Sequence, residues 1–276
     1  MLKKIPKLLH ISGGMLAVYA LLPSIAHAAT IGVGAAGDVF AIDETTGVGT
    51  LLGPSGFSGL NSAASDSEGT IYSVAGREII TIDPITGAGT LVTTLDFGAV
   101  RGLAFSPDDT LYAIFDGGFS GGLFLPDDLY TIDLSNGTPS LIGSTGSVGL
   151  QSLAFSPTGD LFSWDVSNVA GEEGLATLNL TTGAATFIDP NGPSVDTDIQ
   201  ALEFAPDGTL FGIRNSLFTI DPTTGVTTVV GSGGYSDVRG LAFATTSTST
   251  PEPSTLLGLG ALALASGTLL RRRRKN

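Results

Sequence analysis

Carboxylates are the most frequent reactive side chains in this 276-residue sequence, and several recur at matched places. Asp43, Asp83, Asp133 and Asp221 each open a phrase Asp-x-x-x-Gly, closed by Gly47, Gly87, Gly137 and Gly225. A fifth copy runs from Asn179 to Gly183. Four equivalent carboxylates could hold a metal or exchange protons, but their context points to turns. An Asp at a turn start accepts from backbone N–H groups two residues on, Pro84 and Pro222 preset φ at the next position, and the closing glycine takes φ > 0. Asp108-Asp109 and Asp207-Gly208 invite a calcium reading, yet calcium wants six to eight oxygens and a run such as Asp-x-Asp-x-Asp-Gly, which is absent. Pro206-Asp207-Gly208 between strands is a hairpin turn. Asp127-Asp128, Glu172-Glu173 and Asp196/Asp198 fall in longer insertions, Asp116–Asp128, Asp165–Gly174 and Asp189–Asp198, and leave room there for a peripheral Ca²⁺. No other cofactor is expected.

The missing side chains narrow the chemistry further. There is no cysteine, and both histidines, His10 and His27, lie in the first 28 residues. Residues 29–250 also lack lysine. The usual general base, zinc ligands and Schiff-base nucleophile are thus missing from the central region. No catalytic residue is assigned, and an enzyme here would have to work with carboxylates, Tyr and Arg. One constellation stands apart: Asn61, Arg101, Gln151, Gln200 and Arg239 occupy the second position of five otherwise apolar strands. Brought together they would form a polar ring, able to bind an anion or a glycan, or simply a hydrated lining with its arginines paired to acids such as Asp237. Trp164, the only tryptophan, aligns with Val74, Ile114 and Ile213 and so reads as core.

The elements that would position this ring are repeats. Leu103-Ala104-Phe105-Ser106-Pro107-Asp108-Asp109-Thr110-Leu111-Tyr112 returns at 153–162 and 202–211, with a degenerate copy at 63–72. Each copy is an apolar strand, a turn and a second strand. The Asp-x-x-x-Gly phrase is a second hairpin, and its glycines are spaced 40, 50, 46 and 42 residues apart. Two hairpins per repeat give four strands, the size of a propeller blade. The second phrase occurs five times, whereas the first has only four two-stranded copies. Thr30-Ile31-Gly32-Val33 supplies a fifth second strand, aligned with Thr209-Leu210-Phe211-Gly212. Its missing partner is Val238-Arg239-Gly240-Leu241-Ala242-Phe243, a near copy of Val100–Phe105. The sequence therefore predicts an all-β, five-bladed propeller over residues 29–244, with strand 238–243 completing the N-terminal blade and closing the ring. Over this region the chain resembles the broad superfamily of bacterial β-propellers, a resemblance that carries fold and not activity.

The two ends differ from the repeats. Lys3, Lys4 and Lys7, an apolar stretch centred on Met15–Leu22, Pro23 and Ala26-His27-Ala28 read as a secretory signal peptide cleaved after Ala28. Residues 245–250 form a Ser/Thr linker. Pro251-Glu252-Pro253, the apolar run 255–270 and the basic cluster Arg271, Arg272, Arg273, Arg274 and Lys275 follow. The run, about 24 Å as a helix, is short for a hydrocarbon core of about 30 Å, and the arginines would stay cytoplasmic. This tripartite arrangement resembles the PEP-CTERM sorting signal of Gram-negative bacteria. The resemblance implies an exosortase-type membrane protease as partner, cleavage near Pro251–Pro253, transient anchoring in the inner membrane, and delivery to the periplasm, outer surface or extracellular matrix of bacteria that make exopolysaccharide and biofilm.

Charge fits an extracellular partner better than nucleic acid. Residues 29–250 hold four arginines (Arg77, Arg101, Arg214, Arg239) against 25 acids, a net −21 compared with −14 for the whole chain. Such a surface repels polyanions. The expected function is a non-enzymatic binding module for a glycan or protein. The alternatives are a carboxylate-based glycoside hydrolase or polysaccharide lyase, and a purely structural matrix protein.

Overall fold

The computed structural model describes residues 29–96, 98–167, 174–188 and 199–244. Strands β1 (Ala29–Gly34), β2 (Asp38–Ile42) and β3 (Gly49–Pro54) begin the first blade. Blade 2 is β4 (Leu60–Ser65), β5 (Ile71–Ala75), β6 (Glu78–Ile82) and β7 (Gly89–Thr94). Blade 3 is β8 (Val100–Phe105), β9 (Leu111–Phe115), a small hairpin β10 (Phe119–Ser120) and β11 (Leu123–Phe124), then β12 (Asp128–Asp133) and β13 (Thr138–Ser144). Blade 4 holds β14 (Ala154–Phe155), β15 (Leu161–Asp165), β16 (Gly174–Leu178) and β17 (Ala185–Phe187). Blade 5 holds β18 (Ala201–Phe204), β19 (Leu210–Ile213), β20 (Leu217–Ile220) and β21 (Thr227–Gly231). Strand β22 (Val238–Ala244) returns to blade 1, giving the order β22-β1-β2-β3. The chain is thus an all-β five-bladed propeller of four-stranded antiparallel sheets, closed by its last strand as the repeat count requires.

One register differs from expectation. Ile31 pairs with Ala242 as Phe211 pairs with Glu203, so Gly32 takes the place of Gly212, not of Phe211. The sequence alignment of β1 was one residue off. The four-residue stretch Thr30–Val33 carries no aromatic residue to match Phe211, so the Gly32–Gly212 match is the better guide to register. Both glycines face the tip of an isoleucine, at Ile42 and Ile220, that leaves little space for a Cβ.

Inner and middle strands are buried on both faces, while the outer strands β3, β7 and β13 are largely exposed. The core accordingly divides into five clusters, one at each blade interface. Trp164, 1% exposed, packs with Leu175 and Ile199 between blades 4 and 5, as its alignment with Ile114 suggests. Four interfaces repeat an aromatic pair between a second strand and the next blade's inner strand: Tyr72–Phe105, Tyr112–Phe155, Phe162–Phe204 and Phe211–Phe243, with centroids 5.1, 5.2, 5.4 and 6.4 Å apart. Such tilted pairs add about 0.5–1.5 kcal/mol each beyond area burial. The interface between blades 1 and 2 places Ile31 and Ser65 at these positions instead.

The antiparallel order fixes two ends of the ring. Inner strands run from the polar second position toward the Phe-Ser-Pro segments. The tight turns between first and second strands, and between third and fourth, therefore share one end, the turn face. The remaining connections share the other, the loop face. The three insertions begin and end on the loop face, and residues 29 and 244, paired in one sheet, lie together on the turn face.

Candidate functional site

The aspartates that open Asp-x-x-x-Gly phrases are turn formers. Asp43 Oδ1 accepts from the N–H groups of Thr45 and Thr46 at 2.8 and 3.1 Å. Asp83 does the same for Ile85 and Thr86, and Asp221 for Thr223 and Thr224. Asp133 accepts from the Ser135 N–H and hydroxyl, and in blade 4 Asn179 Oδ1 accepts from the N–H groups of Thr181 and Thr182. These donors hold the four carboxyls below their ordinary range. Asp207 closes its hairpin by accepting from the Thr209 N–H, while Asp109, at φ 60°, reaches across to the Ser67 N–H and hydroxyl of the preceding blade.

Asn61, Arg101 and Arg239 are the second residues of inner strands β4, β8 and β22, whereas Gln200 directly precedes β18 and Gln151 lies three residues before β14, all toward the loop face. Asn61, Arg101 and Arg239 are part-exposed, whereas Gln151 and Gln200 are 8% and 7% exposed. Two members meet directly: Arg239 Nη1 lies 3.5 Å from Asn61 Oδ1, and Asn61 Nδ2 donates to the Val100 carbonyl at 2.8 Å. Blades 1, 2 and 3 are thereby joined in sequence. Arg239 Nε and Arg214 Nε both bind Asp237 Oδ1, at 3.2 and 2.9 Å. Asp237 sits at φ 50°, uncommon for a non-glycine residue, and Asn215 receives its N–H. Burial opposes ionisation of Asp237, but the two guanidiniums outweigh it and keep its carboxyl low. Arg101 is held separately by Asp116, 2.8 Å from Nη2. A recess of about 160 Å³ opens between Asn61, Arg239, Ala35, Gly59, Gly76 and Ala99. The arrangement can present guanidinium and amide donors to an anion or a polyhydroxy ligand, at the cost of competing with Asp237.

Two features had no clear signal in the sequence. Asp127 is fully buried; its oxygens accept from the N–H groups of Leu150, at 2.9 Å, and Gly117, at 3.3 Å, with Arg101 Nε 3.9 Å away. Burial pushes its carboxyl up to about 6, partly offset by Arg101. It anchors the insertion carrying β10–β11 and turns inward, away from any calcium ligand role. Asp165 is likewise buried, bonded to the Ser147 hydroxyl and the Ser167 N–H. Among the described residues no three acidic or imidazole side chains gather as a metal site. Glu172, Glu173, Asp196, Asp198, the leader and the tail from 245 lie outside the described residues. Among those described no helix is long and apolar enough to cross a membrane, and the span expected at 255–270 is not among them.

The second feature is the one-sided placement of the cations, although the loop face also carries Asp38, Glu78, Asp96, Asp116, Asp127, Asp128, Asp165 and Asp237. All four arginines of residues 29–250 stand on the loop face. The outer turns of the opposite face carry Asp43, Glu44, Asp83, Asp133 and Asp221. Its inner turns carry Asp66, Glu68, Asp108, Asp109, Asp160 and Asp207, and no Lys or Arg stands there among the described residues.

Residues 249–275 match the PEP-CTERM protein-sorting motif. That motif marks an exported protein and is a substrate signal for exosortase, a membrane protease. No curated protein matches the chain. Among solved structures, one described under "the de novo evolutionary emergence of a symmetrical protein" matches at TM-score 0.54 and 20% identity, over 78% of this chain and 98% of that one. A protein of unknown function from Bacteroides caccae matches at 0.49 and 14%, over 79% and 99%. TolB from Acinetobacter baumannii matches at 0.46 and 15%, over 76% and 54%. The first likeness is one of fold alone.

Proposed function

We propose that this chain is a non-enzymatic binding propeller, exported behind a cleaved leader, processed near Pro251–Pro253 and delivered to the cell surface or matrix, where its loop face binds an extracellular glycan or protein. One observation carries the reading. The four arginines and the three longest connections collect on one face, while the chain departs for its sorting tail from the other. Until processing, a tether leaving from Ala244, seven residues before Pro251, sets the turn face toward the membrane and the loop face away from it. The Arg239–Asn61 recess is the proposed contact, with Arg101 beside it. The exposed Phe119 and Phe124 of β10–β11, in edge contact at 5.2 Å, offer stacking surface on the same face. The absence of His, Cys and Lys from residues 29–250 supports binding without turnover.

The test is retention of the processed protein on the producing organism's exopolysaccharide and on a glycan array, for the native chain and an R101A/R239A double variant shown to be folded by circular dichroism. Binding by the native chain and its loss in the variant are expected. Equal binding by both would overturn the site, and release of reducing ends or unsaturated sugars would overturn the non-enzymatic reading.

A further inference from the structure

The turn face has its own recess on the propeller axis. Phe105, Phe155 and Phe204, with the prolines two residues beyond each, wall an open cup of about 420 Å³. Blade 2 has Ser65 where the others have Phe, so the cup widens on the side of Asp66 and Asp109.

Glu203 precedes Phe204 on β18, one residue deeper along the axis than the residues that line the cup. The equivalent residues of the other blades are Ala64, Ala104, Ala154 and Ala242. Small residues belong there because the inner strands crowd together. Two residues earlier on the same strand face, a Cβ on Gly102 would lie 2.8 Å from the Ser152 carbonyl carbon, and one on Gly240 2.4 Å from the Ala63 nitrogen. Glu203 breaks this rule. It is part-exposed, and desolvation raises its carboxyl well above the ordinary range. It has no hydrogen-bond or ion-pair partner among the described residues. A desolvated carboxyl without a partner is costly to ionise, and an incoming cation removes that cost.

We propose that the axial cup is a docking site for a basic polypeptide segment, one Lys or Arg side chain of which enters along the axis toward Glu203. The phenylalanine faces suit the methylenes and the cation of that side chain. The eleven turn-face carboxylates, unopposed by any cation among the described residues, draw a basic segment in and repel an anionic one. A neutral sugar would offer Glu203 hydroxyl donors but would leave its charge uncompensated. This site lies at the opposite end from the loop-face recess and stands or falls independently of it.

The test uses the processed protein and blocked Ser/Gly peptides with a central Arg, Lys or Gln, titrated by calorimetry and NMR at about 150 mM salt. The Arg and Lys peptides should bind and the Gln peptide should not. Glu203→Gln should weaken binding at least about tenfold. Glu203→Ala should do the same in a chain that folds at least as well, since four blades already carry Ala there. Binding of all three peptides alike, absence of Arg and Lys binding, or undiminished binding by both Glu203 variants would each overturn the proposal, the last by showing that the general charge of the face suffices.

Discussion

The aspartates of this chain have opposite fates, set by where their donors come from. Asp83 is fully exposed, and its partners lie two and three residues away. Its lowered carboxyl contributes stability that is present above the unfolded value near 3.8 and lost as pH falls below it. Asp83→Ala should therefore lower the thermal midpoint at pH 7, and the difference from the native chain should shrink as pH falls below 3.8. Asp127 runs the other way. With a carboxyl raised to about 6, its contribution is fully present below 3.8, falls as pH rises and is lost above about 6. At roughly 1.4 kcal/mol per pH unit this amounts to about 3 kcal/mol. A ¹³C titration of the side-chain carboxyls should find one resonance moving near pH 6 while those of the turn aspartates move below pH 4; a second low midpoint for Asp127 would refute the burial argument. The turn role of Asp83 was legible because Asp-Pro-Ile-Thr-Gly contains its own partners. Asp127 was not, because the N–H groups that hold it belong to Gly117 and Leu150, and its burial is made by segments that only the ring brings together.

Among the elements, repetition made most of the architecture readable, and glycine contacts show how the repeats join. Each closing glycine of an outer turn has positive φ, and four of the five touch the outer strand of the preceding blade at close range. A Cβ on Gly47 would meet Gly231 at 2.5 Å, on Gly87 the Gly53 carbonyl oxygen at 2.8 Å, on Gly137 the Thr94 carbonyl oxygen at 2.5 Å, and on Gly183 the Gly143 carbonyl oxygen at 2.4 Å. The turn signal predicted the φ; the contact was invisible, because it depends on blade spacing. Gly76, also at positive φ, meets nothing within 4 Å. Gly76→Ala should cost about 1–2 kcal/mol from backbone strain alone, a few degrees in a domain of this size. Gly87→Ala should cost clearly more, because backbone must shift; equal melting points for the two variants would show that blade spacing is soft. The split blade was legible from a count of phrases, whereas the register of β1 was not, for want of distinctive side chains.

At the scale of the whole molecule, closure and polarity are the two consequences of folding 29–244 into a ring. A chain ending at Ala244 keeps every strand and should unfold in the same cooperative transition as the longer protein. A chain ending at Asp237 exposes the β1 edge and the faces of Leu217 and Phe211. It should lose that transition and associate on size-exclusion chromatography. The charge polarity could not be read from net charge, since it depends on which ends of the strands carry the turns. The role of Glu203 was hidden for a related reason: within its repeat it is one more polar residue, and only the convergence of five inner strands makes its position exceptional.

The pairing of Ala29 with Ala244 also sets an order in time. A chain exported from its N-terminus delivers β1 first and its partner β22 last, with the whole of blades 2 to 5 between them. Blade 1 stays incomplete until the final strand has crossed, and the segment that follows within six residues is the one the sorting protease reads. Completion of the fold and arrival of the sorting motif are therefore nearly simultaneous, so that a chain stalled before residue 238 would be both open and unprocessed, and one presented for processing has already delivered every strand it needs to close.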